Sequence, residues 1–524
     1  MPQKKTQSRW WWQLLIVEAL FFSCVFFWIL GDLWYDEVLS LEVVLGNDSP
    51  WEIFRDYRFA NNHFLSNFLE WLWLRGLRLN SSSEVLVRLP PMLFGMGTVA
   101  AACLAWRRFL GERAALLTAV LLACSPVFTA FAWQFRGYSL AMFLSTLAVT
   151  AAAFRRERRT LYNGMALFVI SLLMPLVMPP AAMLPFAVAF ALLAEKGRGL
   201  LQRSGLREAA LAAFPAAAGA FLGVAYYLTL WEQFRTAMRE SGGWTSAWMV
   251  GCHVVFAFAL HLGVLCVPLF KPAQKCTGKE PPAHEDPRKN ARVRGGMELG
   301  MALLLGCLAA LVAVLLVPSP VHRSPFPRVF LPLLPAVTFG AALLAKEWAW
   351  LNGLPIRKYW QLLGCVAVGA LLVRIGSDAL TKWDLEKSST PPQNLLQQYY
   401  RGNGGVSALL QEYRKLPESQ QRHQVVLVSP YDLPTTFHYW NLYGLPNGDL
   451  GRTGTREIPC LLPANEVPPG ILEQYRLHGY VILVLARHEQ EALNLAQTAG
   501  LPSAQAVAEG DEYDRQRLFR IVSP

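Results

Sequence analysis

The sequence predicts a polytopic α-helical membrane protein with about eleven transmembrane helices, followed by a small C-terminal α/β domain outside the membrane. The 524 residues are 53% hydrophobic and only 16% charged, whereas soluble proteins carry roughly 25% charged residues. Many apolar runs approach the ~20 residues that a helix needs to cross a bilayer. These runs lie at residues 10–30, 89–106, 114–131, 138–154, 161–194, 209–230, 248–270, 297–317, 329–345 and 360–373.

The longest run, residues 161–194, predicts two spans rather than one. It has roughly twice the length of a single span and contains Pro175, Pro179 and Pro180. Because proline ends or kinks a helix, we expect a tight turn near these prolines. The first run, residues 10–30, is too long for a signal peptide and precedes no small-residue cleavage site, so it predicts a retained helix.

The placement of lysine and arginine predicts the orientation of the chain. Lys4, Lys5 and Arg9 precede the first span, and such residues mark the cytoplasmic side, so we expect a cytoplasmic N-terminus. Alternation of the spans then places every strongly basic loop on that side. The net charge of +11 therefore reflects topology. It does not indicate nucleic-acid binding, which needs a basic surface with interleaved aromatic residues.

Three parts of the chain are predicted to lie outside the bilayer. The predicted transmembrane domain, residues 1–375, includes an outer loop at residues 31–88 and a Pro-rich, flexible cytoplasmic loop at residues 271–294. The rest, residues 376–524, is predicted to be a periplasmic or extracellular α/β domain. There, "QVVLVSP" and "GYVILVLA" read as buried strands, "HEQEALNLAQTAG" as a helix that ends near Gly500, and "RLFRIVS" as a last strand.

The outer loop carries two apolar stripes at helical spacing. One contains Trp34, Val38 and Leu41, and the other begins at Phe64. Such stripes predict two amphipathic helices, here on the membrane surface. On the first helix Asp36 lies about 200° from Trp34, so it is expected to face away from lipid.

Four polar groups crowd the outer face. Arginine there opposes the usual positive-inside bias, and its planar guanidinium matches a phosphate. An ion pair with a loop acid or a lipid headgroup is the alternative for each arginine. A helix cap or a solvated face is the alternative for Asp36, and a structural histidine for His63. The groups are Asp36–Glu37, "NNHF" with His63, "WQFRGYS" with Arg136, and "VHRSPFPRVF" with His322, Arg323 and Arg328.

A carboxylate on the same face as a phosphate clamp favours group transfer. Asp36 can take a proton from an incoming hydroxyl, and arginines can offset the charge of a leaving phosphate. Asp36, Glu37 and His63 could also share a divalent cation, a question that the sequence leaves open.

The order of "YDE", "NNHF", "SSEVLVRLPPMLFG", "WQFRGYS" and "PRVF" resembles the glycosyltransferase-C superfamily. The similar branch contains dolichyl-phosphate-mannose protein mannosyltransferases and the lipid A aminoarabinose transferase. The resemblance implies transfer of a sugar from a polyprenyl-phosphate donor, with inversion, on the outer face of a bacterial cytoplasmic membrane. The acceptor is a glycan, a lipid or a protein.

The same resemblance implies roles for individual residues. Asp36 is the implied catalytic carboxylate, with Glu37 its neighbour, and Arg136 with Tyr138 matches an "R-x-Y" element near the donor phosphate. Arg328 is a further implied phosphate ligand, although Val329 stands where the family has tyrosine. His63, together with Asn62, is implied to contact acceptor or to organise the loop, although Phe64 and Leu65 replace the prolines of the family element.

The main alternative is a membrane transporter or lipid flippase. The break at Pro175–Pro180 is the feature of the sequence that favours transport, because transporters often carry broken helices at the membrane midplane. However, the ionisable residues are predicted to cluster on the outer face, and the sequence shows no repeat. The enzyme is therefore the preferred interpretation.

Overall fold

The computed structural model describes most of the chain. The described residues are 3–31, 33, 35–57, 62–194, 203–240, parts of 251–263, 287–316, 327–351, and 404–522 with short gaps. The chain divides into two compact units. The first comprises Met1–Ile29, Val43–Leu79 and Val87–Ile375, and the second comprises Leu30–Glu42, Asn80–Leu86 and Gly376–Pro524.

Helices dominate the chain before residue 352. Apolar runs of transmembrane length account for most of them, as the sequence predicts. They are α1 (Gln3–Ile29), α2 (Tyr35–Gly46), α3 (Phe64–Trp71), α4 (Glu84–Leu104), α5 (Arg107–Leu110), α6 (Glu112–Cys124), α7 (Pro126–Phe131), α8 (Tyr138–Glu157), α9 (Leu161–Val177), α10 (Met183–Ala194), α11 (Arg203–Ala225), α12 (Trp231–Glu240), α13 (Pro287–Leu316) and α14 (Leu334–Leu351).

Several helices are suited to a bilayer by length and composition, which indicates an integral membrane protein. Five described stretches are long and apolar enough to cross, and three apolar helices are shorter. The predicted span at 360–373 lies outside the described residues and that at 248–270 largely so, so the count of about eleven stays a prediction. The five are Glu84–Leu110, Tyr138–Glu157, Leu206–Ala237, Gly296–Leu316 and Arg328–Glu347.

Prolines interrupt two of the predicted apolar runs. The turn expected within residues 161–194 is confirmed, because α9 ends at Val177 and a 3₁₀ turn, Pro179–Ala182, precedes α10. The run predicted as one span at residues 114–131 divides into α6 and α7. Ser125 is extended, with ψ of 121°, and its hydroxyl accepts the Phe128 amide at 3.4 Å. Proline disfavours helical backbone in the residue before it and favours the first helical position after a serine cap.

The two helices predicted in the outer loop are present, as α2 and α3, and their apolar stripes are partly buried within the protein. Val38, Leu41 and Phe64 are at most 1% exposed. Phe64 packs in a core cluster with Tyr57 and Tyr227. Leu45 and Leu72, which continue the same two patterns, are 38% and 41% exposed. The placement of the stripes on the membrane surface therefore stays a prediction.

The helices of the first unit pack closely through small residues. Helix α9 packs against α8 and α11, and α13 packs against α10 and α14. A methyl group on Gly223 would approach the Leu172 carbonyl oxygen to 2.6 Å, and one on Gly300 the Gly340 carbonyl oxygen to 2.8 Å. Small residues at such crossings let helix backbones approach each other, as is common between membrane helices.

The second unit is built around a mixed sheet. The sheet order is β4-β1-β5-β7-β6, in which β4, β1 and β5 are parallel and β7 runs antiparallel to β5 and β6. The elements are α15 (Gly404–Arg414), α16 (Glu418–Gln421), β1 (Gln424–Val428), α17 (Leu433–Leu442), β2 (Gly448–Asp449), β3 (Glu457–Ile458), β4 (Leu461–Pro463), α18 (Ile471–Leu477), β5 (Val481–Ala486), α19 (Glu489–Thr498), β6 (Gln505–Tyr513) and β7 (Gln516–Val522).

The strands and the helix predicted in the tail, residues 376–524, are present in the structure. Strands β1 and β5 are largely buried, and alternate residues enter two apolar clusters, one containing Val426 and Leu483 and the other Leu427 and Val484. This alternation is the period of a strand buried on both faces. Helix α19 ends two residues before Gly500, whose φ of +93° suits the glycine that follows many helices.

Candidate functional site

Arg136 lies in the short connection between α7 and α8. Its side chain is 0% exposed, and its backbone N–H donates to the Gln134 carbonyl oxygen at 2.6 Å. The guanidinium carbon lies 4.8 Å from the ring centroid of Tyr138, the first residue of α8. This is the geometry of a cation–π contact, so the two residues of the predicted "R-x-Y" element contact each other.

Rings from two other segments pack against Tyr138. Phe131, at the end of α7, meets it edge-on with centroids 5.1 Å apart, and His63 does so at 5.5 Å. His63 Nδ1 lies 3.1 Å from the Val177 carbonyl oxygen at the end of α9. A carbonyl only accepts, so Nδ1 carries the proton and the neutral ring has its lone pair at Nε2. We refer to Arg136, Tyr138 and His63 as the arginine cluster.

Gly137 allows the arginine cluster to close. A methyl group at this position would lie 2.8 Å from Cγ1 of Val177 and 3.0 Å from Cγ and Nδ1 of His63. Real side chains do not tolerate such distances without movement of their neighbours. The glycine between Arg136 and Tyr138 therefore has a steric reason that the sequence pattern alone does not show.

Asn62 organises the chain that leads into α3. Its side-chain amide donates to the Asp56 carbonyl oxygen at 2.7 Å, and its oxygen accepts from the Asn67 amide at 2.7 Å. His63, the N-cap residue of α3, is held next to this pair. Both residues are buried, and their predicted role, contact with the acceptor or organisation of the loop, stays a prediction.

Arg88, within the motif "SSEVLVRLPPMLFG", is a buried arginine. It is 1% exposed, and Nη1 donates to the carbonyl oxygens of Trp28 and Ile29, each at 3.3 Å. Its guanidinium carbon lies 4.6 Å from the ring centroid of Trp133. Trp133 belongs to the same connection as Arg136, so Arg88 supports that connection. An arginine at the outer end of the predicted span 89–106 was the available signal.

Arg328 lies in the 3₁₀ segment Pro327–Leu333 and is half-buried. The Ser145 hydroxyl of α8 donates to the Pro332 carbonyl oxygen of this segment at 2.6 Å. Arg328 therefore lies on a segment that is bound to α8, the helix that begins with Tyr138.

Asp36 and Glu37 occupy the first turn of α2. They are 5% and 0% exposed, so the solvated-face alternative for Asp36 is wrong. The Ser40 hydroxyl donates to the Asp36 backbone carbonyl at 3.0 Å. Carboxylates in the first turn of a helix are favoured by the partial positive charge there. We refer to Leu30–Glu42, which belongs to the second unit, as the carboxylate segment.

A tail side chain contacts the carboxylate segment within the second unit. The Leu33 backbone N–H donates to the Tyr439 hydroxyl at 2.8 Å, and that hydroxyl donates to Oε1 of Glu84 at 3.1 Å. His438 meets the Tyr439 ring edge-on at 5.0 Å. Burial lowers the pKa of His438, and the Glu84 carboxylate partly opposes this shift.

Asp36, Glu37 and His63 all belong to the described part of the chain. No group of three or more His, Cys, Asp and Glu side chains able to hold a metal ion occurs there.

Comparison with known families bears directly on these residues. The family model described as "Dolichyl-phosphate-mannose-protein mannosyltransferase" matches residues 67–222. The predicted resemblance to the glycosyltransferase-C superfamily is confirmed. The matched segment includes Arg88, Arg136 and Tyr138 but neither Asp36 nor Arg328.

Solved glycosyltransferase-C structures align along nearly the whole chain. ArnT from Cupriavidus metallidurans, bound to undecaprenyl phosphate, is 14% identical over 97% of each chain with a TM-score of 0.49. Its apo form gives the same identity and TM-score over 99% of this chain and 98% of that one. An oligosaccharyltransferase from Archaeoglobus fulgidus is 13% identical over 94% of this chain and 70% of its own, with a TM-score of 0.46. No curated protein matches the sequence.

Proposed function

We propose that this protein transfers a sugar from a polyprenyl-phosphate donor to an acceptor hydroxyl, with inversion, on the outer face of the bacterial cytoplasmic membrane. The observation that carries the proposal is the buried Arg136, placed over Tyr138 inside the segment that matches the mannosyltransferase family. The description of that family names a polyprenyl-type phosphate as the carrier of the sugar, which supports this class of donor.

The environment of Arg136 suits a phosphate for two reasons. A guanidinium offers a fork of donors that fits phosphate oxygens. The same connection leads into the N-terminus of α8, a helix of 20 residues, where backbone N–H groups and the helix dipole favour an anion. As the sugar leaves, the phosphate gains negative charge that Arg136 stabilises, and Arg328 is a second candidate for this role.

The carboxylate segment supplies the base in this proposal. Asp36 accepts the proton of the acceptor hydroxyl while the oxygen of that hydroxyl attacks the anomeric carbon of the sugar. The bond from that carbon to the phosphate oxygen breaks, and polyprenyl phosphate leaves with the electron pair. A carboxylate near the reacting sugar also stabilises the oxocarbenium-like transition state. Glu37 has three remaining roles open to it: contact with the acceptor, binding of a cation, or orientation of the segment.

The test uses membranes from a deletion strain and the purified protein. Mass spectrometry of the deletion strain should show an accumulated polyprenyl-phosphate sugar and an envelope glycan, lipid or protein that lacks one sugar. The missing product identifies the acceptor class and the sugar. Complementation with the wild-type gene should reverse both changes.

The purified protein separates the enzyme from the transporter or flippase alternative. In detergent micelles there are no two leaflets to connect, so transport has no product. We expect the wild-type protein in micelles to release free polyprenyl phosphate from the accumulated lipid when extracted acceptor is added. Accumulation in the strain without any release in micelles would contradict the proposed transfer.

A further inference from the structure

The hydroxyl group of Tyr439 joins two segments that are far apart in the sequence. It accepts the Leu33 amide at 2.8 Å, across 406 residues, and donates to Glu84 at 3.1 Å, across 355 residues. Leu33 lies near the start of the outer loop and Glu84 near its end. One tail side chain thus holds both ends of the loop that contains Asp36.

Tyr439 is a firmly placed anchor for these two bonds. It is 0% exposed and belongs to the apolar cluster formed by α15, α17 and one face of the sheet. Its ring stacks on Tyr443, with centroids 6.0 Å apart, and meets His438 edge-on. A hydroxyl at the end of a packed ring has little freedom, so the atoms bonded to it inherit a fixed position.

The Tyr439 hydroxyl is required for this pair of bonds. A phenol accepts from an amide and donates to a carboxylate at the same time, whereas phenylalanine would fill the same space and make neither bond. Leu33 is 1% exposed, so its amide would lose an acceptor at a place where water does not easily replace it. Two residues later α2 begins, and Asp36 lies in its first turn.

We propose that Tyr439 is a positioning residue, which fixes the start of α2 and thereby places the Asp36 carboxylate for proton removal. This inference rests on the proposed function, because it assigns to the tail a role in the same reaction. It predicts a loss of turnover rather than of donor binding, because the arginine cluster contains no residue of this linkage. Small displacements of a reacting group are costly, up to about 100-fold for 1 Å.

The test compares Tyr439→Phe with Tyr443→Phe. Both changes remove one phenolic oxygen at or next to the end of α17, but the Tyr443 hydroxyl accepts from the exposed Gln411 amide at 2.9 Å. We expect Tyr439→Phe to lower kcat about tenfold with donor KM changed less than about twofold. Tyr443→Phe should keep the wild-type values of both constants.

Two further measurements separate positioning from a general loss of stability. Hydrogen exchange of peptides covering Leu30–Glu42 should become faster in Tyr439→Phe, while peptides of β1 and β5 keep wild-type protection. Substitutions of Glu84 test the same linkage without changing Tyr439, because Glu84 accepts the hydrogen bond from the Tyr439 hydroxyl. Glu84→Gln keeps an acceptor oxygen and should retain most of the turnover, whereas Glu84→Ala should lose turnover as Tyr439→Phe does.

The outcomes separate this inference from the proposed function. Wild-type turnover in Asp36→Asn would contradict the proposed mechanism, in which Asp36 is the base. Inactive Asp36→Asn, together with Tyr439→Phe that matches Tyr443→Phe in kcat and in exchange, would overturn the positioning role alone. If Tyr439→Phe fails to fold, equal turnover of Glu84→Gln and Glu84→Ala overturns the inference as well.

Discussion

The arginine cluster and the carboxylate segment are held in different ways. Rings and a steric fit hold the cluster: Tyr138 contacts His63, and Gly137 leaves just enough space for this approach. Two hydrogen bonds from the tail hold the ends of the outer loop around the carboxylate segment. The arginine cluster and the carboxylate segment therefore have separate structural supports. Substitutions in one should leave the function of the other largely unchanged.

The largest expected effect tests the carboxylate segment. Asp36→Asn should lower kcat about 10²–10⁴-fold, the usual contribution of a general base, because the amide cannot accept the proton. Donor KM should change little, since the guanidinium that is proposed to bind phosphate is untouched. Steady-state kinetics with the purified protein and extracted donor measure both constants.

Glu37→Gln is the matched control, because it removes a neighbouring carboxylate that is equally buried. It should cost less than Asp36→Asn if the base is Asp36. An equal loss in both variants would assign the chemistry to the pair, and a larger loss in Glu37→Gln would move the base to Glu37. Thermal unfolding of each variant in detergent establishes that it is folded.

The second prediction tests the arginine cluster and has the opposite kinetic signature. Arg136→Ala should lower kcat/KM for the donor about 10–100-fold, because a hydrogen bond to a charged group contributes about 1.5–3 kcal/mol and every 1.4 kcal/mol is tenfold. Arg136→Lys keeps the charge but loses the planar fork, so its loss should be smaller. The measurement is donor concentration dependence at saturating acceptor.

Arg108→Ala controls for the general loss of an arginine. Arg108 donates to Glu157 from Nε and Nη2, at 3.1 and 2.7 Å, and an exposed pair of this kind contributes ~0–1 kcal/mol. Its donor kinetics should equal those of the wild type. Equal kinetics in Arg136→Ala would contradict the phosphate role of Arg136.

The sequence predicted the helices well where local pattern decides the structure. Apolar runs of bilayer length placed α4, α8 and α9, and the prolines placed the turn before α10, because these features depend on nearby residues only. The break between α6 and α7 was missed, although Ser125 and Pro126 carry the signal of a capped helix start. Hydropathy summed over 18 residues hides a break one residue long.

The site residues also differ in whether a local sequence pattern could predict them. Arg136 and Tyr138 are two residues apart, so a local pattern found both. The contact with His63 and the support from Arg88 join distant segments, and a single sequence does not reveal which segments meet. The linkage through Tyr439 was beyond prediction for this reason. From the sequence alone, a tyrosine in a tail helix is predicted to be a core residue. The partners of its hydroxyl, Leu33 and Glu84, are hundreds of residues away.

A smaller effect is expected on the pH dependence of stability. It involves His438 and Glu84, next to the Tyr439 linkage that holds the carboxylate segment. Burial lowers the pKa of His438, against a partial opposing attraction by Glu84. On acidification the unfolded chain therefore takes up this proton first, near the ordinary pKa of about 6.5. The stabilising contribution is complete above that pH and is lost as the pH falls toward the lowered pKa of the folded protein.

Two variants should move this dependence in opposite directions between pH 7.5 and 5.5. His438→Gln removes the titrating group, so its melting temperature should fall less on acidification than that of the wild type. Glu84→Gln removes the attraction that raises the pKa of His438, so its melting temperature should fall more. Because the arginine cluster contains neither residue, donor KM should follow the same pH profile in all three proteins. A common pH slope of melting would show that His438 does not couple acid to this unit, whereas a parallel shift in donor KM would show that the two regions are not separately supported.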